Sequence, residues 1–433
     1  MRKPLTIFVP HCSALLTDHR PYGDGLIAHG FIAHLARRGH RLHVAAQKVA
    51  LREPLPSNVT IYEIPCGSSG RIAKRAEYML RVRRLLKTLR KNTRFDLIHQ
   101  MNPVFTGISL ALAGSGLPLV LGTYVARWPE DPDSLSAAGW SKRAVQAGRN
   151  ALSAIQQWQA DALLLTTPAA WNRMPNPGAV RGRTHFLPHG IDTDLFSPGD
   201  DSRLGVGSAD ELPSVLFFAN VLKRKGIFTL IEAFPAVLSE FPTARLVVAG
   251  DGPALTAVTR RVDELGYRDR VDFLGRQERS DAPALYRKCS IYCFPSFAEP
   301  YGTTLVEAMS CGKPVAAADS GGPAHLVSEK GGAFFRAGDV QALSRVLCDL
   351  LRNPERRAAM GRHNRQVVEA TMSWNQVAER LEHIYEITLS RNRGSALPEN
   401  TPAAVAEVVG QAIRTGNNAS GCHKVVRAAG SKW

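Results

Sequence analysis

The chain is short of paired cysteines, aromatics, long apolar runs and acid, and each shortage removes a class of protein. Its seven cysteines stand at 12, 66, 289, 293, 311, 348 and 422, an odd, scattered set without the spacing of a disulfide framework or a thiolate metal site. A reducing, cytoplasmic setting is the expectation, and Met1-Arg2-Lys3 precedes too short an apolar run to act as a secretory leader. Aromatics make up 7% of the chain and do not interleave with its basic residues, so the stacking platforms of a nucleic-acid binder are lacking and nucleic acid is not an expected partner. The uncharged stretch 100–126 is cut by Pro103, Gly107, Gly114, Gly116 and Pro118, which reads as soluble core elements and not as a membrane span. Acid is the largest deficit. Against 54 Lys and Arg there are 38 Asp and Glu, a net charge of +16 that attracts anionic lipid or phosphorylated substrates.

What is present is a soluble α/β pattern long enough, at 433 residues, for two domains. Apolar runs at Leu5–Val9, Leu42–Ala46, Val59–Ile64, Leu97–His99, Pro118–Gly122 and Ala162–Thr166 read as strands separated by helical patterns, hence a mostly parallel sheet. A second alternation has strands at Val215–Ala219, Leu246–Ala249, Val271–Leu274, Ile291–Phe294 and Val315–Ala317. The expected architecture is therefore two Rossmann-like, doubly wound domains facing an interdomain cleft that holds the ligand. We place the first domain at 1–198, a Gly-, Asp- and Ser-rich linker at 199–213 and the second domain at 214–372. A helix at 373–393 would pack back toward the first domain, and 394–433 would be a largely disordered tail with a helix at 403–413.

Between Arg71 and Arg94 ten basic residues face one acid, Glu77, while Tyr78, Val82, Leu85, Leu86 and Leu89 recur at helical spacing. This basic amphipathic helix packs its stripe on a sheet and leaves a cationic face that could meet an anionic membrane surface. Trp140 to Arg149 begins a second such stretch.

The densest chemistry lies from Phe294 to Pro323. Ile291 to Pro295 reads as a buried strand, Glu299-Pro300-Tyr301-Gly302 as a turn and Thr303 to Ser310 as a helix. That order is a phosphate-site layout, because the first amides of a helix, here Gly302, Thr303 and Thr304, point outward at its positive end. Glu307 follows about one turn deeper, placed to accept hydrogen bonds from sugar hydroxyls. Two acids also suit a glycosidase. Eight residues of helix would span roughly 12 Å, beyond the roughly 5 to 9.5 Å between hydrolase carboxylates, but the turn at Pro300 leaves the separation open. A capping Glu299 and a solvated Glu307 fit equally. Lys223-Arg224-Lys225-Gly226 brings cations to the carboxyl edge of the second sheet, with Lys225 the candidate phosphate ligand. Gly23-Asp24-Gly25 opens a helix after the first strand, a turn that suits either an anion or plain backbone packing.

Taken in order, these residues resemble the retaining glycosyltransferases of the GT-B fold known as group 1, or family 4 (GT4). Glu299-Pro-Tyr-Gly-Thr-Thr-Leu-Val-Glu307 is similar to the family's E-x7-E signature. His189-Gly-Ile-Asp192 with Phe196-Ser-Pro198 resembles its domain-junction motif, and Phe95-Asp-Leu-Ile-His99 its fDvIH strand. Arg38-Gly39-His40, Lys225-Gly226 and Gly250-Asp251-Gly252-Pro253 fall in family order, and the likeness covers about residues 4 to 390.

The resemblance implies a nucleotide-sugar donor on the second domain, a glycan or lipid-linked acceptor on the first, retention of configuration, and neither metal nor other cofactor. It would make Glu299 and Lys225 the catalytic candidates, Glu299 on the donor sugar and Lys225 on the diphosphate. Gly302, Thr303 and Thr304 would share the diphosphate, Glu307 would take the ribose, and Gly23 and Gly25 would approach the phosphate across the cleft. Asn220 and Arg224 belong to the same donor clamp, while His99, Tyr124, Arg127 and His189 fall on the acceptor or sugar side. Three positions depart from the pattern: Asn220 replaces an arginine, Tyr124 a histidine and His325 an acid. The expected activity is sugar transfer in cell-envelope glycolipid or polysaccharide synthesis. The alternatives are a GT-B nucleotide-sugar epimerase and a catalytically weak sugar-nucleotide or polyanion-binding protein.

Overall fold

The computed structural model describes residues 3–20, 23–102, 107–124, 140–171, 174, 177–199, 212–297 and 299–392, except the side chains of 71, 123, 124 and 140–146. Most of the expected linker (200–211), Arg127, and the expected tail from 394 with its helix lie outside the described residues.

The first sheet has seven strands: β1 (Thr6–Val9), β2 (Arg41–Ala46), β3 (Val59–Glu63), β4 (Leu97–Gln100), β5 (Leu119–Tyr124), β6 (Ala162–Leu165) and β7 (Thr184–Phe186). The second has six: β8 (Ser214–Phe218), β9 (Arg245–Ala249), β10 (Val271–Gly275), β11 (Ile291–Phe294), β12 (Val315–Ala318) and β13 (Gly332–Phe335). The spatial orders are β3-β2-β1-β4-β5-β6-β7 and β10-β9-β8-β11-β12-β13. Every pairing is parallel. Parallel strands covered on both faces are mostly apolar, and β4, β6, β11 and β12 are buried at every position, with His99 and Gln100 of β4 the polar exceptions. Each order reverses direction once, between β1 and β4 and between β8 and β11, and the carboxyl ends of strands at such a reversal open the crevice where ligands sit.

Of the four edge strands, β3 and β10 were expected from the sequence, while β7 and β13 are additional to the strands read there. Thr184–Phe186 is three residues long and half exposed, and Gly332–Phe335 opens on a glycine. Neither is a continuous apolar run, since an edge strand needs burial on fewer sides.

Helix α1 (Gly23–Arg37) buries Phe31, Ile32 and Leu35 on one face of the first sheet, and α2 (Arg71–Leu89) buries Tyr78, Val82 and Leu86 on the other. Beyond α2 lie α3 (Trp140–Gln159) and, in the second half, α4 (Ile227–Glu240), α5 (Ala282–Lys288) and α6 (Thr303–Ser310). The last helix, α7 (Trp374–Asn392), returns to the first core through Val377, Leu381, Ile384 and Tyr385. Its Trp374 ring meets Phe31 edge-on at 5.1 Å and stacks on His34 at 5.3 Å. That seat exists because positions 30 and 190 are glycine. A Cβ would lie 1.9 Å from the indole at Gly30 and 2.2 Å at Gly190. Among the described residues no helix is long and apolar enough to cross a membrane.

Candidate active site

The site begins where β8 ends. Lys223–Lys225 form one tight helical turn that closes on Gly226 at φ 73°, a left-handed conformation open to glycine. A Cβ there would lie 1.8 Å from the Pro295 carbonyl oxygen, so the glycine lets the lysine loop rest against the end of β11. Phe297 N–H donates to Arg224 O at 3.0 Å and locks the two loops together.

Lys225 Nζ donates directly to Glu299 Oε2. Arg224 Nη1 stands 3.8 Å from the same oxygen, and Ser296 Oγ donates to it at 3.5 Å. A third loop joins through Gly322 N–H to Glu299 O at 2.7 Å and Ser320 Oγ to Ser296 O at 2.7 Å. Glu299 is thus held between two cations at the mouth of the switch between β8 and β11. Gly302, at φ 98°, starts α6, with Thr303 and Thr304 in its first turn. Thr304 Oγ1 accepts from Tyr292 O–H at 2.8 Å. Asn220 is exposed at the end of β8, beside this cluster in sequence.

Glu307 lies one turn along α6, where it is 6% exposed. Its Oε2 accepts from Tyr286 O–H of α5 at 2.9 Å and its Oε1 from Arg279 Nη1 at 3.3 Å. Burial raises the carboxyl above the usual range, and Arg279 and Tyr286 pull it back. The two glutamates therefore have separate partners. Neither is the solvated face residue or simple cap that the residues alone allowed.

Contacts between the carboxyl edges of the two sheets frame the site. Thr167 Oγ1 donates to Pro300 O at 2.9 Å, and Tyr301 O–H donates to His189 O at 2.9 Å. His29 of α1 is held below its ordinary value, first by burial and then by nearby positive groups that include Arg279. Gly23 and Gly25 open α1 on the first-sheet side, and Asp24 between them accepts from Asn102 Nδ2 at 3.0 Å.

The first-sheet candidates fare unevenly. His189 is buried against the Tyr301 ring at 4.6 Å, and burial lowers it to about 3. His99 lies inside the core with Nε2 bonded to Gly122 O and Nδ1 to Tyr385 Oη at 2.6 Å. Burial lowers it to about 4, so it is a neutral strut and not a group facing the cleft. Tyr124 ends β5, but its side chain and all of Arg127 lie outside the described residues. His325 caps the glycine turn on a short helix after β12, its N–H donating to Gly322 O at 2.8 Å.

Arg279, Tyr286 and Asn102 were not found from the sequence. Arg279 and Asn102 follow strands β10 and β4 at the carboxyl edges, so topology was the available signal; Tyr286 carried none. A cavity of about 640 Å³ lined by Arg90, Lys91, Arg94 and Asp96 opens at the opposite, amino edge of the first sheet, away from this chemistry.

Residues 25–195 match the profile of Glycosyltransferase Family 4, and residues 201–367 that of Glycosyl transferases group 1. The chain belongs to the group 1, family 4 glycosyltransferases. This GT4 chain is 34% identical over 212 residues to the GDP-mannose-dependent monoacylated alpha-(1-6)-phosphatidylinositol monomannoside mannosyltransferase of Corynebacterium glutamicum, covering 46% of this chain and 55% of the relative. It is 30% identical over 258 residues to the GDP-mannose-dependent alpha-(1-6)-phosphatidylinositol monomannoside mannosyltransferase of Mycolicibacterium smegmatis, covering 57% and 66%. The matches thus span less than two thirds of these curated relatives. HepE of Anabaena, solved in complex with UDP, superposes with a TM-score of 0.66 at 21% identity over 87% of this chain and 98% of HepE. The fold is GT-B.

Proposed function

We propose that this GT4 chain transfers a hexose from a nucleotide-diphosphate-sugar to a glycan or lipid-linked acceptor with retention of configuration. The observation that carries the proposal is the convergence of Lys225, Arg224 and Glu299 at the start of α6, with Glu307 buried one turn behind. When a donor enters, its diphosphate competes for Lys225 and Arg224, and the first amides of α6 share its charge. Glu299, released from the lysine, accepts hydroxyls of the sugar. Glu307 accepts those of the ribose. As the bond from the anomeric carbon to the diphosphate breaks, negative charge grows on the leaving oxygen, and fixed cations and amides stabilise it without reorganising. The acceptor hydroxyl attacks from the same face and passes its proton to the departing diphosphate. No metal or other cofactor is required in this scheme.

The curated relatives named for GDP-mannose and phosphatidylinositol mannosides make GDP-mannose the first donor to test and a glycolipid of the cell envelope the favoured acceptor. A bilayer-bound acceptor also gives the basic face of α2 a role at the cytoplasmic membrane surface. A thermal-shift panel of UDP-, GDP-, ADP- and TDP-sugars identifies the base, because a ligand that binds only the folded state raises Tm. Lys225→Ala and Glu307→Ala should each raise the donor Kd, and unchanged donor binding in both would refute the assignment.

A further inference from the structure

Glu307 is a carboxyl in a closed apolar setting, and only one cation, among the described residues, stands within ion-pair distance of it. Arg279 supplies that contact, Nη1 to Oε1 at 3.3 Å. The arginine is itself fixed from behind, its guanidinium lying over the Phe196 ring at 5.0 Å, a stacked seat that a planar cation favours. Phe196 belongs to the junction motif and is fully buried. Arg279 therefore ties the ribose-side carboxylate of α6 to the junction between the two sheets.

We propose that Arg279 is a positioning residue of the donor site: it keeps Glu307 a carboxylate and aims it at the ribose. The proposal rests on the assignment of Glu307 to the ribose hydroxyls. A carboxylate can accept from both hydroxyls of a ribose at once, whereas a carboxylic acid gives up one acceptor oxygen to its own proton. The other groups facing Glu307 cannot replace the arginine. Tyr286 and Tyr292 are phenols that burial raises well above their ordinary value, and burial pushes Cys311 up to about 12. All three stay neutral through the physiological range. Burial raises Glu307 even with Arg279 present, so removing the cation raises it further. A raised carboxyl is ionised above its folded pKa and neutral below it. The ribose contact is then lost as pH falls through a higher value in the variant than in the wild type.

The test is calorimetric titration of GDP and UDP, each beside its 2′,3′-dideoxy counterpart, from pH 6.5 to 9 with wild type, Arg279→Met, Arg279→Lys and Glu307→Gln. Arg279→Met should raise the Kd of the better ribonucleotide about tenfold at pH 7, the loss of roughly one charge-assisted hydrogen bond. That loss should shrink as pH rises and be absent for the dideoxy probe, and Arg279→Lys should retain most of the affinity. Thermal unfolding of each variant separates these effects from misfolding. Wild-type affinity in Arg279→Met, or an equal loss at every pH and for both sugars, overturns the proposal. If Glu307→Gln leaves binding unchanged, the ribose assignment itself falls. If Glu307→Gln weakens binding and Arg279→Met does not, only the role of Arg279 falls.

Discussion

Glu382 of α7 receives both Arg38 Nε and Nη2 at 2.7 and 2.8 Å, a bidentate pair between residues 344 apart in sequence. His40 Nε2 joins the same carboxylate at 2.9 Å, while His40 Nδ1 accepts from Leu5 N–H at 3.1 Å. The buried carboxylate thus clamps the returning helix to the Arg38-Gly39-His40 turn. Burial acts to raise Glu382, but Arg38 and His40 outweigh it and hold the carboxyl below its ordinary value. A lowered folded pKa stabilises the protein above the unfolded pKa, and that gain is lost as pH falls through the folded value. Glu382→Gln should cost about 3 kcal/mol at pH 7, the low end for breaking a buried pair because Arg38 is partly solvated. In urea melts the gap between variant and wild type should narrow as the pH falls below the ordinary carboxyl range and through the lowered folded value; a constant gap would refute the linkage.

Trp374 gives a packing test of the same return. Its ring fills the space left by Gly30 and Gly190, so Gly30→Ala forces the indole out of its slot while changing no charge. Trp374→Ala should destabilise by about 3–5 kcal/mol, the usual cost of an emptied aromatic site. Gly30→Ala should cost a similar amount and red-shift the tryptophan emission. Both melts and spectra are checkable on the full chain; wild-type stability in Gly30→Ala would mean the helix is not seated there.

These two contacts show what the sequence could and could not convey. The inner strands were legible because a parallel sheet buried on both faces demands unbroken apolar runs, as in Ile291–Phe294. At the sheet edges β3 and β10 were legible, whereas β7, three half-exposed residues, and β13, which opens on a glycine, were too short or too interrupted to stand out. The Lys225, Glu299 and Glu307 cluster could be read because each residue follows a strand at the carboxyl edge. Arg279 over Phe196, Tyr286 on Glu307 and Arg38 on Glu382 join residues that only the tertiary fold makes neighbours. His99 shows the opposite error. A histidine ending a strand looked like a cleft residue, yet its ring bridges Gly122 O and Tyr385 within the core.

Arg224 offers a test of the departure at Asn220. The guanidinium lies 3.8 Å from Glu299, so a second cation reaches the cluster from a different position in the chain. Arg224→Ala should raise the donor Kd about 10-fold to 100-fold, the range of one charge-assisted contact. Asn220→Arg in that background should recover much of the loss, and Asn220→Arg alone should change affinity little if one arginine suffices. No effect of Arg224→Ala on calorimetric Kd would leave Lys225 as the lone side-chain ligand of the diphosphate.

The proposed membrane contact makes predictions about particular side chains. On α2 the outward face carries Ile72 and Leu80, 87% and 57% exposed, beside exposed Arg83, Arg84 and Lys87. On α3, which flanks the same Ile108–Leu112 turn as α2, Leu152, Ile155 and Trp158 are also exposed, Trp158 by 69%. Apolar side chains ringed by cations suit an anionic interface, where lysines and arginines meet headgroups and the indole settles at the acyl boundary. Wild type should sediment with vesicles containing phosphatidylserine and not with pure phosphatidylcholine. Arg83→Glu with Arg84→Glu should abolish sedimentation by reversing the field at the surface. Trp158→Ser with Ile155→Ser should weaken it at low salt and eliminate it at high salt, because screening removes the charge contribution and leaves only the apolar one. Equal binding of wild type to both lipids would remove the membrane from the mechanism while leaving the donor site as assigned.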